Sequence, residues 1–186
     1  MNPIKYIPEY KDFSLRLATQ KPSAWGDIPS ILPGLIKKFN IKTNSAIEFG
    51  VEYGYSTSAL ANIFTNVTGV DTFTGDIHAG FKGDIYRETL NYLSSYPNIN
   101  LVQTKYQDFC KKHTNYYDFA HVDIVHTYED TYACGEWCVN HADVIVFHDT
   151  MSFPEVLQAC KDLAKNYNLE FYNYEGSYGL GILIKK

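Results

Sequence analysis

Short apolar runs and longer amphipathic stretches take turns along this chain. The runs Ser45 to Phe49, Val67 to Val70, Ile99 to Thr104, Tyr117 to Val122 and Ala142 to Phe147 are four to six residues long, which suits buried strands and is too short for helices. Between and after them, near residues 55 to 64, 84 to 95, 107 to 113, 128 to 140 and 153 to 167, the pattern takes on helical spacing. Strands separated by helices imply right-handed crossovers and a mostly parallel sheet covered on both faces. A further helix is expected from Asp27, where Ile28, Ile31, Leu32, Leu35, Ile36 and Phe39 recur at three- and four-residue steps. Pro29 and Pro33 suit that helix only near its first turn. The tail differs: Leu169 to Tyr174 and Gly179 to Ile184 have no helix between them, only EGSY, so the chain should finish as an antiparallel hairpin at the sheet edge. The expected fold is α/β, a doubly wound sheet of seven strands with helices on both faces. Residues 1 to 26 are polar and dotted with proline, with Tyr6, Tyr10 and Phe13 as anchors. They read as an N-terminal arm or lid, and residues 27 to 186 as a single domain.

Composition narrows the setting. A chain of 186 residues with 45% hydrophobic content fills one α/β domain and leaves no room for two. The net charge of -5 and a pI near 5.6 disfavour a general phosphate-backbone binder, so nucleic acid is an unlikely partner. No apolar run approaches the roughly 20 residues that span a bilayer, and MNPIKYIPEYKDF lacks a signal peptide's apolar core, so a cytoplasmic protein without membrane contact is expected. Cys110, Cys134, Cys138 and Cys160 read as free thiols packed as small hydrophobes. The sequence leaves the oligomeric state open, with a homo-oligomer among the options.

Ligands of such sheets bind beyond the carboxyl ends of the strands, and there this chain is polar. The segment IEFGVEYGYST puts Glu48 near the end of the first run, follows it with Gly50 and Gly54, and opens a helix at Ser56. Gly-x-x-x-Gly in place of Gly-x-Gly-x-x-Gly leans toward S-adenosylmethionine over a dinucleotide. Asp71 lies 71 − 48 = 23 residues after Glu48, a spacing that suits a ribose-binding carboxylate, although a turn or cap would also use an aspartate there. In TKYQDF, Tyr106 is placed to stack on an adenine and Gln107 to hydrogen-bond its edge. Asp123 ends one strand and His148-Asp149 the next. Adjacent parallel strands about 4.8 Å apart would bring these donors to one edge, an arrangement for a divalent metal. Carboxylates alone favour Mg²⁺, and an imidazole ligand shifts the choice toward Mn²⁺, Fe²⁺ or Zn²⁺. The competing reading is that both aspartates cap helices while His148 packs. His126, three residues past Asp123, is the candidate general base. His78 is a candidate wall of the acceptor pocket, and His113, His121 and His141 read as structural or exposed.

With these residues in hand, the chain resembles class I S-adenosylmethionine-dependent methyltransferases. Within them it is similar to the small metal-dependent O-methyltransferases related to catechol and macrolide-sugar O-methyltransferases. The carrying segments are IEFGVEYGYST, GVDTFTGDIHAGF, VQTKYQDF, HVDIVHTYED and VIVFHDTMSFPEV, within about Ser45 to Lys186. The resemblance implies a Rossmann-like methyltransferase fold and methyl transfer to a hydroxyl of a small molecule or sugar. In it Glu48, Gly50, Gly54 and Ser56 would hold the methionine part of the cofactor, Asp71 the ribose and Gln107 the adenine. Asp123, His148 and Asp149 would hold Mg²⁺ or Mn²⁺, and His126 falls where relatives place a catalytic Lys or His. Two departures stand out: relatives commonly have an acidic residue where His148 stands, and smaller residues where Ile124 and Val125 stand. The rivals are a metal-independent methyltransferase, a non-catalytic binding domain on the same fold, and a dinucleotide oxidoreductase, which lacks its fingerprint here.

Overall fold

A computed structural model describes residues 2–9, 15–79 and 82–185. Along the chain the elements are β1 (Ile4–Lys5), α1 (Ile28–Lys38), β2 (Ser45–Phe49), α2 (Tyr55–Ala61), β3 (Asn66–Asp71), α3 (Tyr86–Leu93) and β4 (Ile99–Gln103). They continue with α4 (Tyr106–Lys112), β5 (Tyr117–Val122), α5 (Tyr128–His141), β6 (Ala142–His148), α6 (Pro154–Asn166), β7 (Glu170–Tyr174) and β8 (Leu180–Ile184). The sheet order is β1-β7-β8-β6-β5-β2-β3-β4. Every pairing is parallel except β6 with β8 and β7 with β8. This is the mostly parallel α/β architecture with a C-terminal antiparallel hairpin that the periodicity predicts, and the Rossmann-like fold that the resemblance implies. Strand order reverses at β2, which pairs with β3 on one side and β5 on the other.

Two features depart from the sequence reading. Among the described residues the sheet has eight strands, because Ile4–Lys5 pairs in parallel with β7. A two-residue strand carries no alternation that a sequence could reveal, and here an existing edge supplies the partner. Pro33 lies inside α1, beyond its first turn, where it forgoes one backbone hydrogen bond. The packing of Ile28, Ile31, Leu32 and Leu35, all buried, holds the helix regardless. Tyr6 is buried, whereas Tyr10 and Phe13 lie outside the described residues.

The core lies on both faces of the sheet. On one side α5 and α6 pack Cys134, Cys138, Val156 and Leu163 against Ile145 and Phe147. On the other, α1 and α2 bury Ile31, Leu35 and Leu60 against Ala46, Phe119 and Val146. All four cysteines are free, three of them buried, and burial pushes the Cys160 thiol up.

Register decides what meets at the rim. Phe49 is level with Val70 and Val122, Val122 with Phe147, and Phe147 with Gly181. One residue further along, Asp71, Gly50, Asp123 and His148 therefore form a single row across four strands. The hairpin turn before β8 comes up beside them. Among the described residues, no helix is long and apolar enough to cross a membrane.

Candidate functional site

The row has two halves. The first is the loop between β2 and α2. Gly50 has φ 90° and Gly54 φ 84°, conformations that favour glycine. A Cβ on Gly50 would collide with the carbonyl oxygen of Asp123, so glycine lets β2 and β5 close against each other at the rim. A Cβ on Gly54 would meet the side chain of Leu93. Its absence makes room for the Leu93 side chain at the end of α3. Asp71 organises the same loop: one oxygen accepts from the amides of Val51 (2.8 Å) and Glu52 (2.9 Å), the other from that of Phe73 (2.7 Å). Glu52 stands over the loop at φ 51°. Burial first, and then the charges of Asp123, Asp71 and Asp76, raise its carboxyl above the usual range. Ser56 lies partly buried in the first turn of α2.

Glu48 lies below the rim. It is fully buried and accepts from the Thr57 hydroxyl and from His121 Nδ1, the latter at 2.8 Å. Glu48 and His121 are register partners in β2 and β5, which explains why two polar residues occupy core positions side by side. Tyr106 and Gln107 both converge on Asp130: the Tyr106 hydroxyl donates to it at 2.8 Å and the Gln107 amide at 3.3 Å. Thr127 caps α5 by accepting from the Asp130 amide and donates to its carboxylate. Burial and then this Asp130 bond raise the Tyr106 phenol.

The second half is a cluster of side chains. Asp123, His148 and Asp149 each offer a ligand atom within 4.8 Å of the others. His148 Nδ1 lies 3.3 Å from Asp123 and 3.2 Å from Asp149, and its Nε2 is 3.1 Å from the carbonyl oxygen of Ser177. A carbonyl only accepts, so Nε2 carries hydrogen and Nδ1 is left facing two carboxylates. A bare lone pair aimed at two anions is repulsive. The position calls for a cation, either a second proton or a metal ion shared by the three residues, and the donor set fits a borderline divalent ion. The backbone that builds it is unusual. Asp149, Ser177 and Tyr178 all have positive φ (65°, 50° and 65°), a conformation non-glycine residues hold only when their surroundings impose it. The amides of Met151 and Ser152 both donate to the Tyr178 carbonyl, at 2.8 and 3.2 Å, locking the two turns together.

His126 completes the cluster, its Nε2 3.0 Å from Asp149 and 3.5 Å from Asp123. Among the described residues, neither ring nitrogen makes an aligned hydrogen bond. The ring stacks on Phe153 with centroids 4.2 Å apart, and the His126 amide donates to His78 Nδ1 at 3.2 Å. Burial opposes charge at all four groups, and their mutual attraction overcomes it. Pairing with Asp123 and Asp149 raises His126 to about 9 and His148 to about 10, while Asp149 falls to about 2 and Asp123 well below the carboxylate range.

The structure thus brings Asp123, His126, His148 and Asp149 together, with Asp71, Gly50 and Gly54 along the same rim. It sets Glu48 underneath, and it turns Tyr106 and Gln107 toward Asp130. Sequence reasoning missed Trp25, Glu52, Asp130 and Phe153. For Asp130 a signal was present, a threonine three residues before an aspartate at a helix start. Two surface recesses of about 430 and 390 Å³, lined by residues such as Asn140 and Tyr167, lie elsewhere and share no residue with this row.

Comparison with known proteins places the chain in a family. Residues 47–150 match a family model described as a methyltransferase domain. A protein of Sinorhizobium fredii, itself described as uncharacterized, is 30% identical over 122 residues, 59% of this chain. The chain spans only 13% of that relative's length. Among solved structures it is similar to a putative caffeoyl-CoA O-methyltransferase from Staphylococcus aureus, with TM-score 0.67 and 14% identity over 90% of this chain and 87% of the other. It is also similar to an O-methyltransferase from Bacillus cereus in complex with SAH, with TM-score 0.61 and 16% identity over 90% and 86%. At such identities the likeness speaks for the fold, while the family match covers more than half of the residues: the chain belongs to the methyltransferase domain family.

Proposed function

We propose that this chain methylates a hydroxyl of a small molecule or sugar with S-adenosylmethionine as donor, assisted by a divalent metal. The observation that carries this reading is the gathering of Asp123, His126, His148 and Asp149 beside the Gly50 loop, at the point where strand order reverses. The loop and Asp71 would seat the cofactor, which supplies a methyl group already activated on sulfur. Asp123, His148 and Asp149 would hold Mg²⁺ or Mn²⁺, whose charge would lower the pKa of the acceptor hydroxyl. A divalent ion on Asp123 and Asp149 would take over the charge that holds His126 protonated, and the neutral imidazole would then be placed to take the acceptor's proton. The His126 ring is fixed by Phe153 and its amide by His78, so Nε2 stays aimed at the rim. The O-methyltransferases among the similar structures support oxygen as the acceptor atom.

One observation favours a metal-independent variant. Two carboxylates and two imidazoles with raised pKa values balance each other's charge without any ion. Turnover of labelled S-adenosylmethionine across a panel of hydroxylated acceptors separates the readings. The metal-assisted one expects activity that EDTA abolishes and Mn²⁺ restores, and that falls in both Asp149→Ala and His126→Ala. Unchanged turnover in both variants would remove the mechanism while leaving the fold intact.

A further inference from the structure

Trp25 belongs to the segment expected to be an arm or lid, yet it is 3% exposed and packs against two histidines of the sheet. Its ring centroid is 5.3 Å from that of His148, nearly parallel at 28°, and 4.7 Å from that of His121, tilted by 40°. Its indole nitrogen is buried and has no hydrogen-bond partner among the described residues. Burying that N–H unpaired is unfavourable, and phenylalanine would avoid it. What the ring supplies here is a flat aromatic face against the imidazole.

The segment carrying it is anchored on both sides. The Ala18 amide donates to Ser58 Oγ at 2.9 Å, the Tyr96 hydroxyl donates to the Arg16 carbonyl at 2.8 Å, and the Tyr55 hydroxyl donates to the Gly26 carbonyl at 3.1 Å. Trp25 is thereby held by α2 and the loop after α3, independently of the cluster it touches. His148 is constrained in its own plane by the Ser177 carbonyl and the two aspartates. In-plane bonds leave the ring's tilt free. A stacked face on one side and the Tyr178 ring edge-on, 6.5 Å away, restrict it.

We propose that Trp25 is a positioning residue: its ring face fixes the tilt of the His148 imidazole, so that residues 15–26 form a permanent wall of the metal-binding rim. This rests on the metal reading given above for its consequence, and on stacking geometry alone for its premise. Trp25→Phe keeps an aromatic face and Trp25→Leu removes it. In the metal-free protein, the His148 Nε2–H resonance held by Ser177 should persist in wild type and Trp25→Phe and disappear by exchange in Trp25→Leu. Mn²⁺ affinity by calorimetry should stay near wild type in Trp25→Phe and fall about 10- to 100-fold in Trp25→Leu, the range for groups that orient a metal ligand. In a Trp137→Phe background, where Trp25 is the one tryptophan left of two, Mn²⁺ should quench the emission at the midpoint seen by calorimetry. A Trp25→Leu protein that keeps the resonance and binds Mn²⁺ as wild type does overturns the proposal. A wild-type protein that takes up no Mn²⁺ while Trp25→Leu loses the resonance overturns the metal reading and leaves the positioning role standing.

Discussion

The two halves of the rim are built in opposite ways. Around Gly50 the polar groups are satisfied from within the chain: Asp71 accepts three backbone amides, and Glu48 accepts from Thr57 and His121. Around Asp123 the side chains face one another, and among the described residues the His126 ring nitrogens approach Asp149 and Asp123 without an aligned hydrogen bond. A saturated carboxylate acts as a brace, because leaving its amides unpaired would be unfavourable. A crowded set of donors and acceptors without full satisfaction is suited to exchange a partner for a proton, a metal or a substrate. The first half is scaffold, and the second is where chemistry is expected.

That contrast makes substitutions in the two halves separable. The largest effect belongs to Asp123→Ala, which leaves His126 and His148 sharing one carboxylate. Turnover should fall by about 10³-fold or more, read as kcat at saturating cofactor, and residual activity near wild type would erase the distinction. His126→Ala comes next, with a loss of about 10²- to 10³-fold, within the range for a general base, and a lower thermal midpoint in the metal-free protein, which loses its pairing with Asp123 and Asp149. On the scaffold side Asp71→Ala should act on stability. Removing the acceptor for Val51, Glu52 and Phe73 should lower the unfolding free energy by about 2–3 kcal/mol, measured by urea denaturation, with cofactor affinity weakened and kcat less affected. An Asp71→Ala protein of normal stability would show that the loop holds without its brace.

The smallest effect is a pH dependence confined to the second half. His126 and His148 are raised in the folded protein, to about 9 and about 10, from an ordinary 6.5. Their contribution to stability is fully present below about pH 6.5 and is lost as pH rises through 9 to 10. Asp149, lowered from 3.8 to about 2, contributes above about pH 4 and loses that contribution as pH falls toward 2. Thermal melts of the metal-free protein should therefore decline between pH 7 and pH 10, and the decline should shrink in excess Mn²⁺, which favours the deprotonated imidazole. An alkaline decline of equal size in His148→Asn would assign the effect to other groups.

Much of the fold was readable because it depends on periodicity. The alternation of runs such as Ala142 to Phe147 with helical stretches such as 128 to 140 fixes a parallel sheet, and the missing helix between 169 and 184 fixes the hairpin. The candidate metal donors were readable because strand ends in such a sheet share one edge. What escaped was whatever depends on a partner remote in sequence. Ile4–Lys5 becomes a strand only beside Tyr172 and Asn173. Trp25 belongs to the rim only because Ser58, Tyr55 and Tyr96 hold its segment there.

Sequence alone determined which residue types reach the rim, since local pattern sets where each strand stops. Their satisfaction was decided by tertiary structure. Glu48 turns beneath the rim because register places it opposite His121, Gln107 turns to Asp130 because α4 and α5 lie side by side, and His148 presents Nδ1 because the Ser177 carbonyl holds Nε2. A hydrogen bond is directional and needs both partners in place, so which groups remain free for chemistry is settled only when the chain has closed on itself.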